Sequence, residues 1–350
     1  MVHQEKGSKM TRETKRINLA LQGGGSHGAF AWGVLNRILE DDHLIIDAIS
    51  GTSVGSVNAA VLIDGYMKDG KPGAIKALEN FWRQIATREA FSPFRRTPIE
   101  KKHQGWNLDH SLGYQVIENM LNLFSPYALN PLNYNPLHDL LAETLSIVDL
   151  QACSIIKLFV TATRVHNGHA RVFKCEEITV DVLMASACLP QIFQAVEIDG
   201  EPYWDGGYVG NPSLWPLIYK AKTPDILLVQ LNPVWRKETP KTVIEIDNRL
   251  NEISFNASLI AELRAISFVS KLLKEGRLDL EHYKDIHFHM IDKPDELLKL
   301  NASSKFNCEW EFLCYLRDLG YQTTETWLKE NFHKIGKESS VSIHETFLEK

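Results

Sequence analysis

Three glycine-framed segments carry the residue types from which an acyl-transfer site is built. They are Gly23-Gly24-Gly25-Ser26-His27-Gly28, Gly51-Thr52-Ser53-Val54-Gly55 and Asp205-Gly206-Gly207. A serine hydroxyl is a weak nucleophile at neutral pH, so it needs a base within hydrogen-bond reach and donors aimed at the tetrahedral oxyanion. Ser53, with Gly51 at −2 and Gly55 at +2, fits a nucleophile elbow, in which a sharp strand-to-helix turn lifts the hydroxyl above a sheet. The first segment offers a row of N–H groups at a helix start, from Gly23, Gly24, Gly25 and Ser26, with Gly28 as motif support. The bland alternative for Ser53 is an N-cap at an ordinary strand-to-helix turn.

The base is the less obvious partner. The chain has 13 histidines, none in a recognisable turn context after the serine, and His166 and His169 flank a hairpin tip where solvation is expected. Asp205 follows Tyr203-Trp204, and Gly206 and Gly207 leave room for a substrate beside its carboxylate. A carboxylate serves directly as base when desolvation raises its basicity. Taken alone, an aspartate before two glycines is more commonly a turn residue. The first segment also fits the GxGxxG dinucleotide pattern, with Asp47 near the spacing of a ribose-binding acid. That reading leaves the second glycine segment unexplained, so a nucleotide-binding oxidoreductase is the weaker alternative.

The elements around these segments must hold them in place. Residues 17–22 (INLALQ) read as a buried strand, residues 29–40 as a helix, 44–50 (LIIDAIS) as a second strand and 54–67 as a helix starting behind Ser53. A repeated strand-turn-helix order predicts a mainly parallel sheet covered by helices. A further helix is predicted over 74–87. Residues 91–136 loosen into an insertion over the site, where Val116, Ile117, Met120, Leu121 and Phe124 form a stripe over 112–124. Such a stripe is more commonly core than lid or bilayer surface. Downstream come a helix near 137–145, a hairpin about Asn167-Gly168, a helix over 180–188 and a second hairpin about Asp199-Gly200 that ends at Asp205. Residues 225–231 and 287–291 read as strands, 241–275 as a long helix or helix pair, and the remainder as mostly helical. No internal repeat is apparent.

At 350 residues, with 44% hydrophobic and 23% charged residues, the chain has the composition of a globular protein. A net charge of −6 gives no basic footprint for nucleic acid. The five cysteines are scattered, without a CxxC pair, so neither a disulfide framework nor a metal site is indicated. The amino-terminal segment lacks an apolar h-region, and no run of eighteen apolar residues occurs. A cytoplasmic protein, in contact with membranes where its substrate requires it, is the expectation; signal-less secretion stays open.

Four blocks in register are more specific than any one motif: LALQGGGSHGAF, AISGTSVGSVNAA, MASACLPQIFQAVEIDG and YWDGGYVGNPSLWPLI. In order and spacing, from about residue 18 to 218, the chain resembles the patatin-like phospholipase family in its bacterial-type form. The resemblance implies a three-layer α/β/α sandwich with a mainly parallel central sheet. Residues 1–16 would be a flexible tail, 17–220 the catalytic domain with an insertion or lid at about 91–136, and 221–350 the remaining core strands and a mostly helical C-terminal extension. It further implies a Ser-Asp dyad of Ser53 (nucleophile) and Asp205 (proton acceptor), with Gly23, Gly24, Gly25 and Ser26 at the oxyanion hole. Gly28, Gly51, Gly55, Gly206 and Gly207 would shape the turns.

The activity implied is a serine lipid acyl hydrolase of the phospholipase A, lysophospholipase or esterase type, with no cofactor, no metal and no catalytic calcium. Its partner would be a phospholipid or other acyl-ester lipid, met through transient membrane contact. The alternatives are a catalytically weak lipid-binding or scaffold protein of the same fold and an acyltransferase. One departure is notable: many members carry Arg or Lys where this loop has His27, which would be only partly charged near neutrality.

Overall fold

The apolar run of β1 (Lys15–Leu21) has no polar side, and it is buried on both. Ile17, Leu19 and Leu21 enter one core layer and Ala20 the other. β7 (Asp225–Val229) divides in the same way, with Leu227 and Val229 against Ile226 and Leu228. Such two-faced burial belongs to a sheet with helices on both sides. The computed structural model of the chain describes residues 13–88, 94–98, 101 and 105–349. Most of the expected tail, and parts of the expected insertion, lie outside the described residues.

The other strands are β2 (Leu44–Thr52), β3 (Lys157–Arg164), β4 (Ala170–Lys174), β5 (Val196–Ile198), β6 (Glu201–Asp205) and β8 (His287–Ile291). They form one sheet in the order β5-β6-β3-β2-β1-β7-β8, with β4 paired to β3 off that path. The run from β3 to β8 is parallel, and β4, β5 and β6 add antiparallel pairings. One face carries α1 (Gly28–Glu40), α2 (Val54–Arg88), a helix over Pro136–Thr144 labelled α4, α5 (Val180–Ser186) and α7 (Trp310–Asn331). The other carries the short helix Trp215–Lys220 and the long α6 (Val243–Lys274). A further helix, α3 (Leu112–Leu123), lies in the insertion. The protein is thus a three-layer α/β/α sandwich with a helical C-terminal region, as the sequence implies.

Several boundaries differ from the sequence reading. Strand β1 begins at Lys15, inside the expected tail. The two helices expected over 54–67 and 74–87 form one span, broken where Asp69 and Gly70 leave helical backbone just before Pro72. α6 is a single helix, long and apolar enough to cross a membrane by length and composition, but its Leu259, Leu263 and Ile266 pack on the sheet. The stripe over 112–124 is not core: α3 buries no residue, and Leu112, Val116, Met120, Leu123 and Phe124 are exposed. Helical spacing identifies an apolar face without saying what covers it.

The C-terminal region is built into the sandwich. α7 crosses α1 with backbone against backbone: a Cβ on Gly33 would strike the Arg317 carbonyl, and one on Gly320 would strike the carbonyl of Phe30. Phe312, Leu313 and Leu316 join the same core layer as Phe30, Trp32 and Leu35. Overpacking such a crossing costs about 1–3 kcal/mol. Gly320→Ala is therefore expected to lower the urea midpoint by an equivalent amount with an unchanged m-value. A midpoint equal to wild type would show that the crossing is not tight.

Candidate active site

β2 ends at Thr52, and Ser53 turns the chain into α2 with a φ of 53°. Left-handed backbone at a residue with a side chain costs roughly 1–2 kcal/mol, so neighbours must hold it there. The Ser53 N–H donates to Ser186 Oγ at 2.9 Å, and that hydroxyl donates to the Thr161 carbonyl at 2.7 Å. The Ser53 carbonyl accepts from the Ser56 N–H at 2.9 Å and from Ser56 Oγ at 2.6 Å. Gly51 and Gly55 face each other across the turn: a Cβ on Gly51 would lie 2.7 Å from the Gly55 carbonyl carbon. The hydroxyl therefore stands at the positive end of α2.

Sheet topology brings the carboxylate to the serine. β4 pairs with residues 159–163 of β3, so β2, paired with 157–161, and β6, paired with 162–164, must share the opposite edge. β2 and β6 run toward each other along that edge. Their ends meet, with Thr52 opposite Thr161 and Asp205 opposite Ala162. The Asp205 N–H donates to the Cys188 carbonyl at 2.7 Å, and its own carbonyl accepts from Thr163 Oγ1 at 2.7 Å.

The Asp205 side chain is fully buried, and its two oxygens are in different situations. Oδ1 accepts the Gly207 N–H at 2.7 Å, whereas Oδ2 meets no donor in hydrogen-bond geometry. The Ser53 side chain is near enough to stabilise the carboxylate's charge without closing a full hydrogen bond. Burial pushes the Asp205 carboxyl up to about 6, while the Gly207 N–H, Ser53 and the Lys305 charge hold it from rising further. An open lone pair near neutrality is what a general base needs. Gly206 and Gly207 are fixed by close approach, to the Thr161 carbonyl and the Phe255 ring respectively.

The glycine loop lies against this pair. A Cβ on Gly23 would come within 2.6 Å of Ser53 Cβ, so the loop and the elbow touch. The Gly23 N–H, expected at the oxyanion hole, is engaged by Asn211 Oδ1 at 2.6 Å. That corrects the expected set: Gly23 has no N–H to offer. The N–H groups of Gly24, Gly25 and Ser26 have no acceptor among the described residues. Gly28 packs on Val54, joining the start of α1 to the start of α2.

His27 turns to the C-terminal region. Its Nε2 lies 2.7 Å from Ser304 Oγ, and its ring meets Phe312 edge-on. The Ser304 hydroxyl already donates to the Asn301 carbonyl, so His27 must carry its proton on Nε2. Burial, and then the Lys305 charge, lower the imidazole to about 3. His27 is therefore neutral, not partly charged as expected. His166 pairs with Glu201 at the exposed hairpin tip, and no described histidine is hydrogen-bonded to Ser53 or Asp205. Asp47 accepts the Lys222 N–H at 2.6 Å, well short of the strand end where a ribose would bind.

Several supporting residues carry no motif of their own. Gln22 Oε1 accepts the N–H groups of Leu231 and Asn232, and Gln22 Nε2 donates to the Asn211 carbonyl and Asn256 Oδ1. Asn232 Nδ2 donates to the Gly23 carbonyl at 2.8 Å. Ser186 and Asn211 lie inside two of the blocks quoted above, which was the available signal; Asn232 and Lys305 lie beyond all four. None of the five cysteines is in a disulfide, and burial beside Asp205 pushes Cys188 up to about 12.

An elbow serine facing a buried carboxylate, on a three-layer sandwich, describes a class of serine acyl hydrolase folds. The patatin-like phospholipase family profile matches residues 19–218, more than half of the chain, and the chain belongs to that family of lipid acyl hydrolases. Among solved structures, the crystal structure of VipD from Legionella pneumophila matches at 15% sequence identity and a TM-score of 0.35, covering 91% of this chain and 67% of that one. No curated protein sequence matches the chain.

The raised pKa of Asp205 has a consequence for stability. A folded-state value of about 6 lies above the ordinary 3.8, so the folded protein binds this proton more tightly than the unfolded chain. Stability present below pH about 4 is lost as pH rises to about 6, by about 2–3 kcal/mol in all. Asp205→Asn keeps an acceptor for Gly207 and removes the buried charge. Its melting temperature is expected to match wild type at pH 4 and to exceed it from pH 6 upward. A lower melting temperature at pH 8 would contradict the buried ionised state.

Proposed function

We propose that the protein is a serine carboxylic ester hydrolase acting on phospholipids or other acyl-ester lipids, with Ser53 as nucleophile and Asp205 as proton acceptor. The observation that carries this reading is the buried, unpaired Oδ2 of Asp205 beside a serine held at positive φ. Ser53 Oγ attacks the ester carbonyl as its proton passes to Asp205 Oδ2. The carbonyl electron pair moves onto oxygen, where the N–H groups of Gly24, Gly25 and Ser26 are the donors supported by their free state. Collapse restores the carbonyl and breaks the bond to the leaving alkoxide, which takes the proton from Asp205. Water then gives a proton to Asp205 and attacks the acyl-serine, and the fatty acid leaves as Ser53 recovers its proton.

Ser53→Ala is expected to abolish release of fatty acid from a mixed phospholipid and neutral-lipid panel, a loss on the order of 10⁴-fold or more. Wild type should label covalently at Ser53 with a fluorophosphonate probe, and its kcat/KM should rise through an acidic limb near pH 6 as Asp205 loses its proton. Full activity in Ser53→Ala would sink the assignment. Comparing products in water with those formed in the presence of an alcohol or thiol acceptor separates hydrolysis from acyl transfer.

Contact with a lipid surface belongs to the same proposal. Leu123 is 77% exposed and Leu132 90%, beside the exposed rings of Phe124, Tyr127 and Tyr134. This segment is tied to the site: Gln194 Nε2 donates to the Asn130 carbonyl, and the Ala195 N–H donates to the Tyr127 hydroxyl, a few residues after Cys188. Aromatic and aliphatic side chains of this kind suit the bilayer interface. Leu123→Glu combined with Leu132→Glu should weaken co-sedimentation with phosphatidylcholine vesicles on the order of tenfold or more, with turnover of a soluble short-chain ester unchanged. Equal vesicle binding would remove this surface from the proposal.

A further inference from the structure

We propose that Lys305, which lies outside the family-matched residues, is the cation of the oxyanion loop: a positioning residue that braces residues 23–26 and holds Asp205 ionised for Ser53. The inference rests on the hydrolase reading above and assigns a role in it to the C-terminal region.

The short turn Ala302–Phe306 and the residues after it clamp the glycine loop. A Cβ on Gly25, whose φ is 56°, would lie 2.5 Å from the Lys305 carbonyl oxygen. On either side of that contact, Ser304 Oγ bonds His27, and Cys308 Sγ lies 3.3 Å from Ser26 Oγ. The backbone of Lys305 thus lies under the loop that offers the free N–H groups. Its side chain turns inward, with Nζ donating to Asn232 Oδ1 at 2.9 Å and Asn251 Oδ1 at 2.6 Å, and 5.3 Å from the centre of the Phe255 ring. Asn232 in turn donates to the Gly23 carbonyl, so the ammonium and the loop share one bridging amide.

This charge is not neutralised locally. Among the described residues no carboxylate oxygen lies within 4 Å of Nζ, and its hydrogen-bond partners are neutral amides. The charged and titratable groups that face it are Asp205, Glu252 and His27. Glu252 is committed to Arg236, whose Nε reaches both of its oxygens at 2.9 Å, and to Arg249 at 3.1 Å. His27 is neutral. The other titratable groups facing Asp205 are Cys188 and Tyr208, both pushed up and therefore uncharged near neutrality. The Lys305 charge acts on Glu252 first and Asp205 second, and because Glu252 is already paired with two guanidinium groups, Asp205 is the unpaired carboxylate that it reaches. Burial lowers the ammonium to about 8, so this field fades as pH rises through that value.

The experiment is a pH profile of kcat and KM on a soluble short-chain ester for the full chain and three variants. Lys305→Met is expected to lose kcat on the order of 10–100-fold with KM within about twofold, and to move the acidic limb upward by about half a pH unit or more because Asp205 becomes harder to ionise. Lys305→Arg should keep the wild-type limb. Asn251→Asp places a carboxylate against Nζ, neutralising the charge without removing it, and should move the limb in the same direction as Lys305→Met. It decides the matter if the methionine variant does not fold. An unmoved limb in Lys305→Met, or in Asn251→Asp where that variant decides, overturns this inference alone while wild type stays active. Absence of Ser53-dependent turnover in wild type defeats the hydrolase reading and this inference with it.

Discussion

The contact between Gly23 and Ser53 is the constraint on which the rest of the site depends. No methyl group fits between the glycine loop and the elbow, so the free N–H groups of the next residues are carried to the side of Ser53. Three elements converge to keep the contact. Asn211 holds the loop by its first N–H, Asn232 holds the same residue by its carbonyl, and Gln22 joins both asparagines to the end of β1. Ser186 holds the other side through the Ser53 N–H. A serine at positive φ is a strained residue, and it is over-determined from every direction.

The electrostatics follow from the same enclosure. Water is excluded from both Asp205 and His27, and exclusion acts oppositely on an acid and a base: one is made more basic, the other is stripped of its proton. The loop histidine is therefore an apolar packing element with one hydrogen bond, and positive charge near the loop comes from Lys305. Desolvation of Asp205 is offset in part by the Gly207 N–H on one oxygen, by Ser53 and by the Lys305 charge, and the other oxygen meets no donor in hydrogen-bond geometry.

The layered fold was legible in the sequence because double-sided burial of parallel strands writes itself as short apolar runs, and glycines mark the turns between them. Ser53 was marked as a candidate by its glycine neighbours, whereas Asp205, which alone reads as a turn residue, was singled out by the family resemblance. What the sequence hid was of two kinds. Single polar residues such as Asn211, Asn232 and Lys305 act through long-range contacts that have no local period. The α3 stripe failed differently, since spacing shows that a face is apolar but not whether protein or another phase lies against it. His27 was misjudged because its charge state is set by burial and by the Lys305 charge, supplied from a segment nearly three hundred residues away.

The crossing of α7 on α1 gives the site an order of assembly. The loop that precedes α1 is braced by the turn that precedes α7, so the two ends of that brace are made far apart in time on the ribosome. A nascent chain that already contains both Ser53 and Asp205 still lacks the segment that seats Gly25, Ser26 and His27. Contacts of such sequence separation close late, after the sheet is in place. On the proposed reading, an incomplete chain would hold Ser53 and Asp205 with the glycine loop unbraced, and the site would stay unfinished until nearly all of the sandwich has been synthesised.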